Sequence, residues 1–339
     1  MGASSFKFQV ETNGTHLKPE TFKPETARDS EFFGAALEPA LLAACGGRLS
    51  EIQWFRTDWQ RGGALTGYAS WNDGSGPRPA VVKMPVPPKE IQWLERLQFE
   101  RHGHGLVVPR LYESATELGG YDLAWAVMQR MRYGPLDAAW AGAELELLAD
   151  AAARFYVAAR HYPIDQPARL EHWDQTLARS RQAVQEMSLP QPQRWSTALK
   201  SLHKTLPVVL RSWSDRPIED WCHGDLHLAN AMTDAPPPAG PAVLFDLALI
   251  HPGHWTEDAA YFESLFWSSP RRIGGADVVK AIAAARKGQG LKGDPHWPRW
   301  ANIRRALLAA AAPAQQTSRP DPVQLQAALG MLEQTLKHI

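Results

Sequence analysis

The chain has 339 residues, 44% of them hydrophobic and 21% charged, and its 36 basic side chains balance 36 acidic ones for a formal net charge of +0. That length and apolar content support a real core and about two domains of the usual ~150 residues, which excludes a disordered chain. The neutral balance excludes nucleic acid as the default partner.

The two cysteines, Cys45 and Cys222, form neither a disulfide framework nor a zinc cluster and read as buried, reduced thiols of a cytoplasmic protein. No window reaches ~18 uncharged apolar residues, and the start "MGASSFKFQVETNG" lacks the basic-then-apolar layout of a signal peptide, so no membrane association is expected. Phe6 stands where an N-myristoylation signal requires Ser or Thr. No obligate protein partner is evident.

Residues 7 to 30 are a polar leader with two short "KPET" copies. From Glu31, "EFFGAALEPALLAACGG" suits a short helix ending at Gly46 and Gly47. "EIQWFRTD" then reads as a strand, "QRGGALTGY" as a turn into a second, and "PAVVKM", after the "NDGSG" loop, as a third. Ile91, Leu94 and Leu97 recur at three-residue spacing through Pro88 to Phe99, the mark of an amphipathic helix, before two more strands, "LVVPRLYES" and "LAWAVMQRM". The order is three strands, one helix, two strands.

Beyond Gly134 the pattern turns helical: "AELELLADAAARFYVAARHY" is a long alanine-rich helix, and 169 to 212 is helical apart from the break at "LPQPQ". Within this second region, Glu219 to Met232 and Ala242 to Leu249 read as short strands joined by "TDAPPPAG", and "EDAAYFESLFW" returns to helix. The expected division is 1–130, a leader plus a nucleotide-binding part, and 131–339, a helical catalytic and acceptor-binding part.

The stretch "WCHGDLHLANAM" crowds four polar side chains into an apolar run. Asp225 and Asn230 stand five positions apart, the interval at which an aspartate takes a hydroxyl proton and an asparagine holds Mg²⁺ in phosphoryl transfer. Sixteen residues after Asn230 the run "AVLF" delivers Asp246, and carboxylate, amide and carboxylate together suit a hard cation.

His223 to Asn230 followed by Phe245-Asp246 resembles the "HGDLHxxN … D" signature of the aminoglycoside phosphotransferase family, small-molecule kinases with a protein-kinase-like fold. The resemblance implies an α+β bilobal fold, an antiparallel sheet plus helix followed by a larger, mainly helical lobe. It implies ATP and Mg²⁺, with Asp225 as catalytic base, Asn230 and Asp246 as metal ligands, and His223 bracing the loop. His227 is open between a hydrogen-bonded loop residue and part of the acceptor pocket.

Upstream, "AVVK" resembles the kinase strand whose lysine, here Lys83, holds the nucleotide phosphates. Its glutamate partner is expected at Glu90, with Glu95 and Glu100 as alternatives. "AVMQRM" resembles the hinge, where the backbone from Gln129 to Met131 would meet adenine. Gly62 and Gly63 stand where a phosphate loop belongs but without a Gly-x-Gly-x-x-Gly pattern, and a tight hairpin turn is the other reading. Asp258 resembles the family's structural aspartate.

The acceptor is a small molecule bearing a hydroxyl. From Arg271 to Ile339 eleven Lys and Arg face four acids, and a basic tail does not suit a polycation unless its charges lie on solvated helix faces. This favours a sugar, an amino alcohol or a related metabolite over an aminoglycoside antibiotic, although Glu257 and Glu263 could restore acidity. Trp255, Trp267, Trp297 and Trp300 are candidates for the acceptor wall, whereas Trp125 and Trp221 read as core. A catalytically silent nucleotide-binding module is the alternative of another class. A protein kinase is disfavoured, because Leu247-Ala248 follows Asp246 and no Ala-Pro-Glu segment appears.

Overall fold

The computed structural model describes residues 27–55, 64–99, 105–138, 142–187, 189–316 and 320–339. Its first part is a helix, α1 (Ala27–Ala44), and a five-stranded antiparallel sheet built from β1 (Leu49–Phe55), β2 (Leu65–Trp71), β3 (Arg78–Met84), β4 (Leu111–Ala115) and β5 (Trp125–Gln129). The spatial order is β1-β2-β3-β5-β4. Helix α1 begins inside the stretch expected to be leader, and β4 starts later than "LVVPRLYES" suggests.

Period-two alternation in β3 decides which face does what. Ala80, Val82 and Met84 are fully buried and join Leu41 of α1 and Cys45 just after it in one apolar cluster. Lys83 and Val81 point to the other face, with Thr66 and Tyr68 of β2 and Ala126 and Met128 of β5 directly opposite them. A one-residue slip would bury Lys83 under α1 and expose Val82, so burial of roughly 1.5–3 kcal/mol per large apolar side chain pins the register.

Helix α2 (Pro88–Arg96) starts with Pro88 in its first turn, where the missing N–H is harmless, and buries Glu90, Ile91, Trp93 and Leu94. It stops before Phe99, which is 64% exposed. Its apolar face belongs to a second cluster that continues into the helical part through Leu148, Phe155, Trp221, Leu226 and Phe262. The sheet and the helices therefore share a core on the Lys83 side.

The helical part contains α3 (Glu144–Ala159), α4 (Trp173–Glu186) and α5 (Pro192–Ser214), the last two separated at "LPQPQ" as the prolines require. Then come β6 (Asp220–Cys222), a short 3-10 turn at Leu228–Asn230, the hairpin β7 (Ala231–Thr233) with β8 (Ala242–Leu244), and β9 (His251–Gly253), which pairs with β6 and was not expected. Helices α6 (Thr256–Ser264), α7 (Val278–Gly288), α8 (Trp297–Gln315) and α9 (Pro322–Thr335) complete it. A third cluster is centred on α4, α5, α8 and α9. No helix among the described residues is long and apolar enough to cross a membrane.

Candidate active site

The loop between β6 and the 3-10 turn is held from three directions. Asp258, in the first turn of α6, accepts the backbone N–H groups of His223 at 2.7 Å and Gly224 at 2.8 Å and the Tyr156 hydroxyl at 2.9 Å. Gly224 has φ +83, and a Cβ there would lie 2.2 Å from the Leu249 carbonyl oxygen, so only glycine fits. His223 is fully buried. Its Nδ1 accepts the Asp225 N–H at 3.3 Å, which leaves Nε2–H to donate to the Phe245 carbonyl at 2.9 Å. Burial pulls its pKa down and keeps the ring neutral. The histidine thus ties Asp225 to the residue preceding Asp246.

Asp225 is 3% exposed. Its Oδ1 accepts the Tyr261 hydroxyl at 2.7 Å and its Oδ2 the Asn230 amide at 3.2 Å, while the same amide also donates to the Asp225 carbonyl at 2.9 Å. Burial raises the carboxyl, but His227, Tyr261 and His223 outweigh it and bring the pKa down to about 2. His227 Nε2 lies 3.6 Å from Oδ1 and helps hold the carboxyl ionised. Its Nδ1 accepts the Ala229 N–H at 3.2 Å and caps the 3-10 turn. Sequence reasoning missed Tyr261, whose only trace there is a three-residue offset from Asp258 on one helix.

Asp246 follows β8 with φ 58 and ψ 64, a left-handed conformation that aspartate tolerates better than most residues, at roughly 1–2 kcal/mol. Lys83 Nζ lies 2.6 and 2.8 Å from the two oxygens of Glu90 and 3.8 Å from Asp246 Oδ1. Burial lowers the lysine, but Glu90 and Asp246 more than offset it, so its pKa is raised and it stays charged. Of the alternatives, Glu95 instead accepts the Ser114 hydroxyl at 3.0 Å, and Glu100 lies outside the described residues. The structure therefore links Lys83, Glu90, Asp246, Asp225, Asn230 and His223 through a chain of contacts.

The Lys83 face of the sheet carries a feature that the sequence did not disclose. Tyr68 packs against Phe55 at 4.3 Å between ring centroids, and the Arg130 guanidinium lies 3.6 Å over the Tyr68 ring. Arg130 follows Gln129 at the end of β5. There the sheet already uses the Gln129 N–H, donated to the Arg110 carbonyl at 2.7 Å, and the Arg130 N–H, donated to the Pro79 carbonyl at 3.2 Å. The side chains of Gln129 and Met131 help line a hollow of about 400 Å³ with Arg110, Arg132 and Asp234. Gly62 and Gly63 lie outside the described residues.

The acidic and basic tallies of the tail do not describe an acceptor wall. Arg286 pairs with Asp220 at 2.9 Å, Arg304 with Glu171 at 2.6 Å and Arg305 with Glu263 at 2.6 Å, all acids from outside the tail. Glu257 is equally committed: Arg216 and His251, at 2.9 and 3.4 Å, hold its carboxyl well below the usual range despite burial. Two of the tryptophan candidates are core. Trp255 and Trp300 are 3% and 6% exposed. Trp297 packs on Trp255 at 5.6 Å, and Trp267 packs against the helical cluster. Trp125 and Trp221 are buried as expected, and Cys45 and Cys222 are free, buried thiols, Cys45 pushed up to about 11 by burial.

A comparison with curated protein sequences gives no match. Among solved structures, the chain resembles an aminoglycoside phosphotransferase from Alicyclobacillus acidocaldarius, with TM-score 0.54 and 18% identity over 86% of this chain and 94% of that one. It also resembles a microcompartment-associated aminopropanol kinase, with TM-score 0.53 and 15% identity over 84% and 90%. A thermostable mutant of aminoglycoside phosphotransferase APH(4)-Ia, in ternary complex with AMP-PNP and hygromycin B, aligns with TM-score 0.52 and 14% identity over 89% and 98%. At these identities the likeness speaks for the fold. The sequence model of the phosphotransferase enzyme family matches residues 62–303, most of the chain, and with it this protein belongs to that family of kinases, which transfer phosphoryl groups to hydroxyls of small molecules.

Proposed function

We propose that the protein moves the γ-phosphoryl group of ATP to a hydroxyl of a small metabolite, a sugar or an amino alcohol before an aminoglycoside. The observation that carries this reading is the convergence of Lys83, held by Glu90 and 3.8 Å from Asp246, with an ionised Asp225 tied to Asp246 through His223. Silent relatives of such a fold have no need of this complete set. The expected division at residues 130 and 131 corresponds to a nucleotide-binding lobe and a catalytic lobe, and a cytoplasmic location suits the free thiols.

The donor set fits Mg²⁺. Asn230 spends its amide nitrogen on Asp225, so Oδ1 is its atom for a cation, and Asp246 adds a carboxylate. No cluster of three His, Cys, Asp or Glu that could hold a metal occurs among the described residues, which accords with an ion that takes one or two protein oxygens and completes its shell with phosphates and water. When bound, Mg²⁺ offsets phosphate charge. Lys83 binds the phosphates electrostatically, and Asp225 orients the acceptor hydroxyl in line and takes its proton. Because the Gln129 and Arg130 amides are used inside the sheet, a base at the hinge is met by carbonyls of this stretch and by the Met131 N–H.

The preference for an uncharged or singly charged acceptor no longer draws on the tail's net charge, since its buried arginines are paired. What supports it is that Glu257 and Glu263, the acids that could have restored an acidic pocket, are both tied up by arginines. The test is ADP release above the acceptor-free rate across sugars, amino alcohols and aminoglycosides, with Mg²⁺ present and withheld. Turnover of aminoglycosides alone would overturn the acceptor class, and no Mg²⁺-dependent turnover of any alcohol, together with tight nucleotide binding, would favour the silent module.

A further inference from the structure

We infer that Tyr261 is a positioning residue of this site: its phenol fixes Oδ1 of Asp225 and leaves Oδ2 as the oxygen that receives the acceptor's hydroxyl. The inference rests on the function proposed above and adds to it a residue and an orientation.

Helix α6 holds the loop at two levels. Asp258 takes the N–H groups of His223 and Gly224, and Tyr261, one turn later on the same helix face, takes the Asp225 side chain. The first contact sets the backbone and the second sets the carboxylate. Tyr261 is only 6% exposed, so its ring is fixed by packing rather than free to swing.

The two oxygens of Asp225 differ as a result. Oδ1 receives a charge-assisted O–H bond at 2.7 Å, while Oδ2 receives a single amide bond at 3.2 Å, the long end of the N–H···O range. That amide has a second, shorter acceptor in the Asp225 carbonyl at 2.9 Å, so giving up Oδ2 leaves it satisfied. An alcohol can therefore displace the Asn230 contact far more readily than the phenol.

In the transfer, the acceptor O–H proton passes to Oδ2 as the acceptor oxygen bonds to the γ-phosphorus, and the bond to the bridging oxygen breaks with its electron pair left on ADP. Tyr261 keeps its proton throughout and takes no part in the bond changes.

The test uses four full-length proteins: wild type, Tyr261→Phe, Asp225→Asn and the double variant. Each is assayed with radiolabelled Mg·ATP, water serving as acceptor, alongside fluorescent-nucleotide binding and denaturant unfolding. The inference expects Tyr261→Phe to lower kcat about 10-fold, as the loss of one bond to a charged group does, with KM for ATP within about twofold. It also expects the phenylalanine to have no further effect in the Asp225→Asn background, because Tyr261 acts through that carboxylate.

A merely structural tyrosine would lower stability equally in both backgrounds and leave kcat per folded molecule unchanged, and that result overturns the inference. So does a kcat loss of the same size in both backgrounds. Hydrolysis by Asp225→Asn at the wild-type rate would instead overturn the phosphotransfer reading itself. Should Tyr261→Phe fold poorly in the wild-type background, the unfolding midpoints still decide: the drop must be clearly larger beside Asp225 than beside its neutral replacement, and equal drops overturn the inference.

Discussion

The ion pairs of two regions of this molecule do different things. In the cleft, Lys83 answers to Glu90 and Asp246, with Lys83 and Asp246 side chains 23% and 30% exposed, so both charges are reachable by phosphate and cation. In the helical part, Arg286 and Asp220 are 6% and 1% exposed, and the guanidinium lies against Tyr156 and Trp255, at 4.9 and 5.1 Å from the ring centroids. The first set is an incomplete arrangement that incoming charge can finish. The second is buried with its charges matched to one another, so it serves structure. Charge counted along the tail cannot tell one from the other, because the partners come from residues far away in sequence.

The sharpest way to break this contrast is at Asp225. Asp225→Asn should lower turnover by about 10²–10⁴-fold, the usual contribution of a general base, while nucleotide affinity, read by fluorescence, changes little. Lys83→Met should reduce kcat by about 10²–10³-fold, as removal of one electrostatic stabiliser does, with the unfolding midpoint nearly kept. In the buried set the readouts should swap. Arg286→Met leaves Asp220 buried with Arg160 as its remaining partner, so urea unfolding should show a loss of about 3 kcal/mol, the low end for a broken buried pair, with kcat of the folded fraction unchanged. A large kcat loss there would erase the distinction between the two sets.

A fourth test uses pH. Burial drives His254 down to about 4, and Asp294, 3.5 Å from its Nε2, does not reverse this. The unfolded chain takes up the proton near pH 6.5 and the folded chain only near 4, so the stabilisation is complete above 6.5 and is lost as pH falls through that window. At 1.36 kcal/mol per pKa unit, the loss is roughly 3 kcal/mol. His254→Gln should flatten the stability curve between pH 6.5 and 4, and an unaltered slope would count against this origin. The smallest effect is expected at Glu95→Ala, whose carboxylate accepts the Ser114 hydroxyl rather than Lys83: kcat and KM for ATP should stay within about twofold, and a larger change would challenge Glu90 as the partner of Lys83.

Much of the site was legible in the sequence because its residues sit at fixed short intervals on local structure. Asp225 and Asn230 lie on one loop and one turn, and Lys83 ends an alternating strand. Glu90 could be preferred but not separated from Glu95, since both belong to one helix and only packing shows that Glu90 is 2% exposed. The Tyr68–Arg130 stack left no signal and Tyr261 only its offset from Asp258, because an aromatic on a helix or strand is ordinarily core. The tryptophans misled in the opposite direction: Trp255 and Trp300 stand in a polar neighbourhood of sequence but face inward.

By itself, the sequence determined the reaction class, through motif spacing, and the order of strands and helices, through hydrophobic period and proline and glycine placement. Only the tertiary structure decided which charges are spent on one another and which oxygen of Asp225 is held. Those outcomes depend on contacts between segments such as α6 and the loop 36 residues before Tyr261, and a one-dimensional pattern carries local preference but not the partner that burial selects.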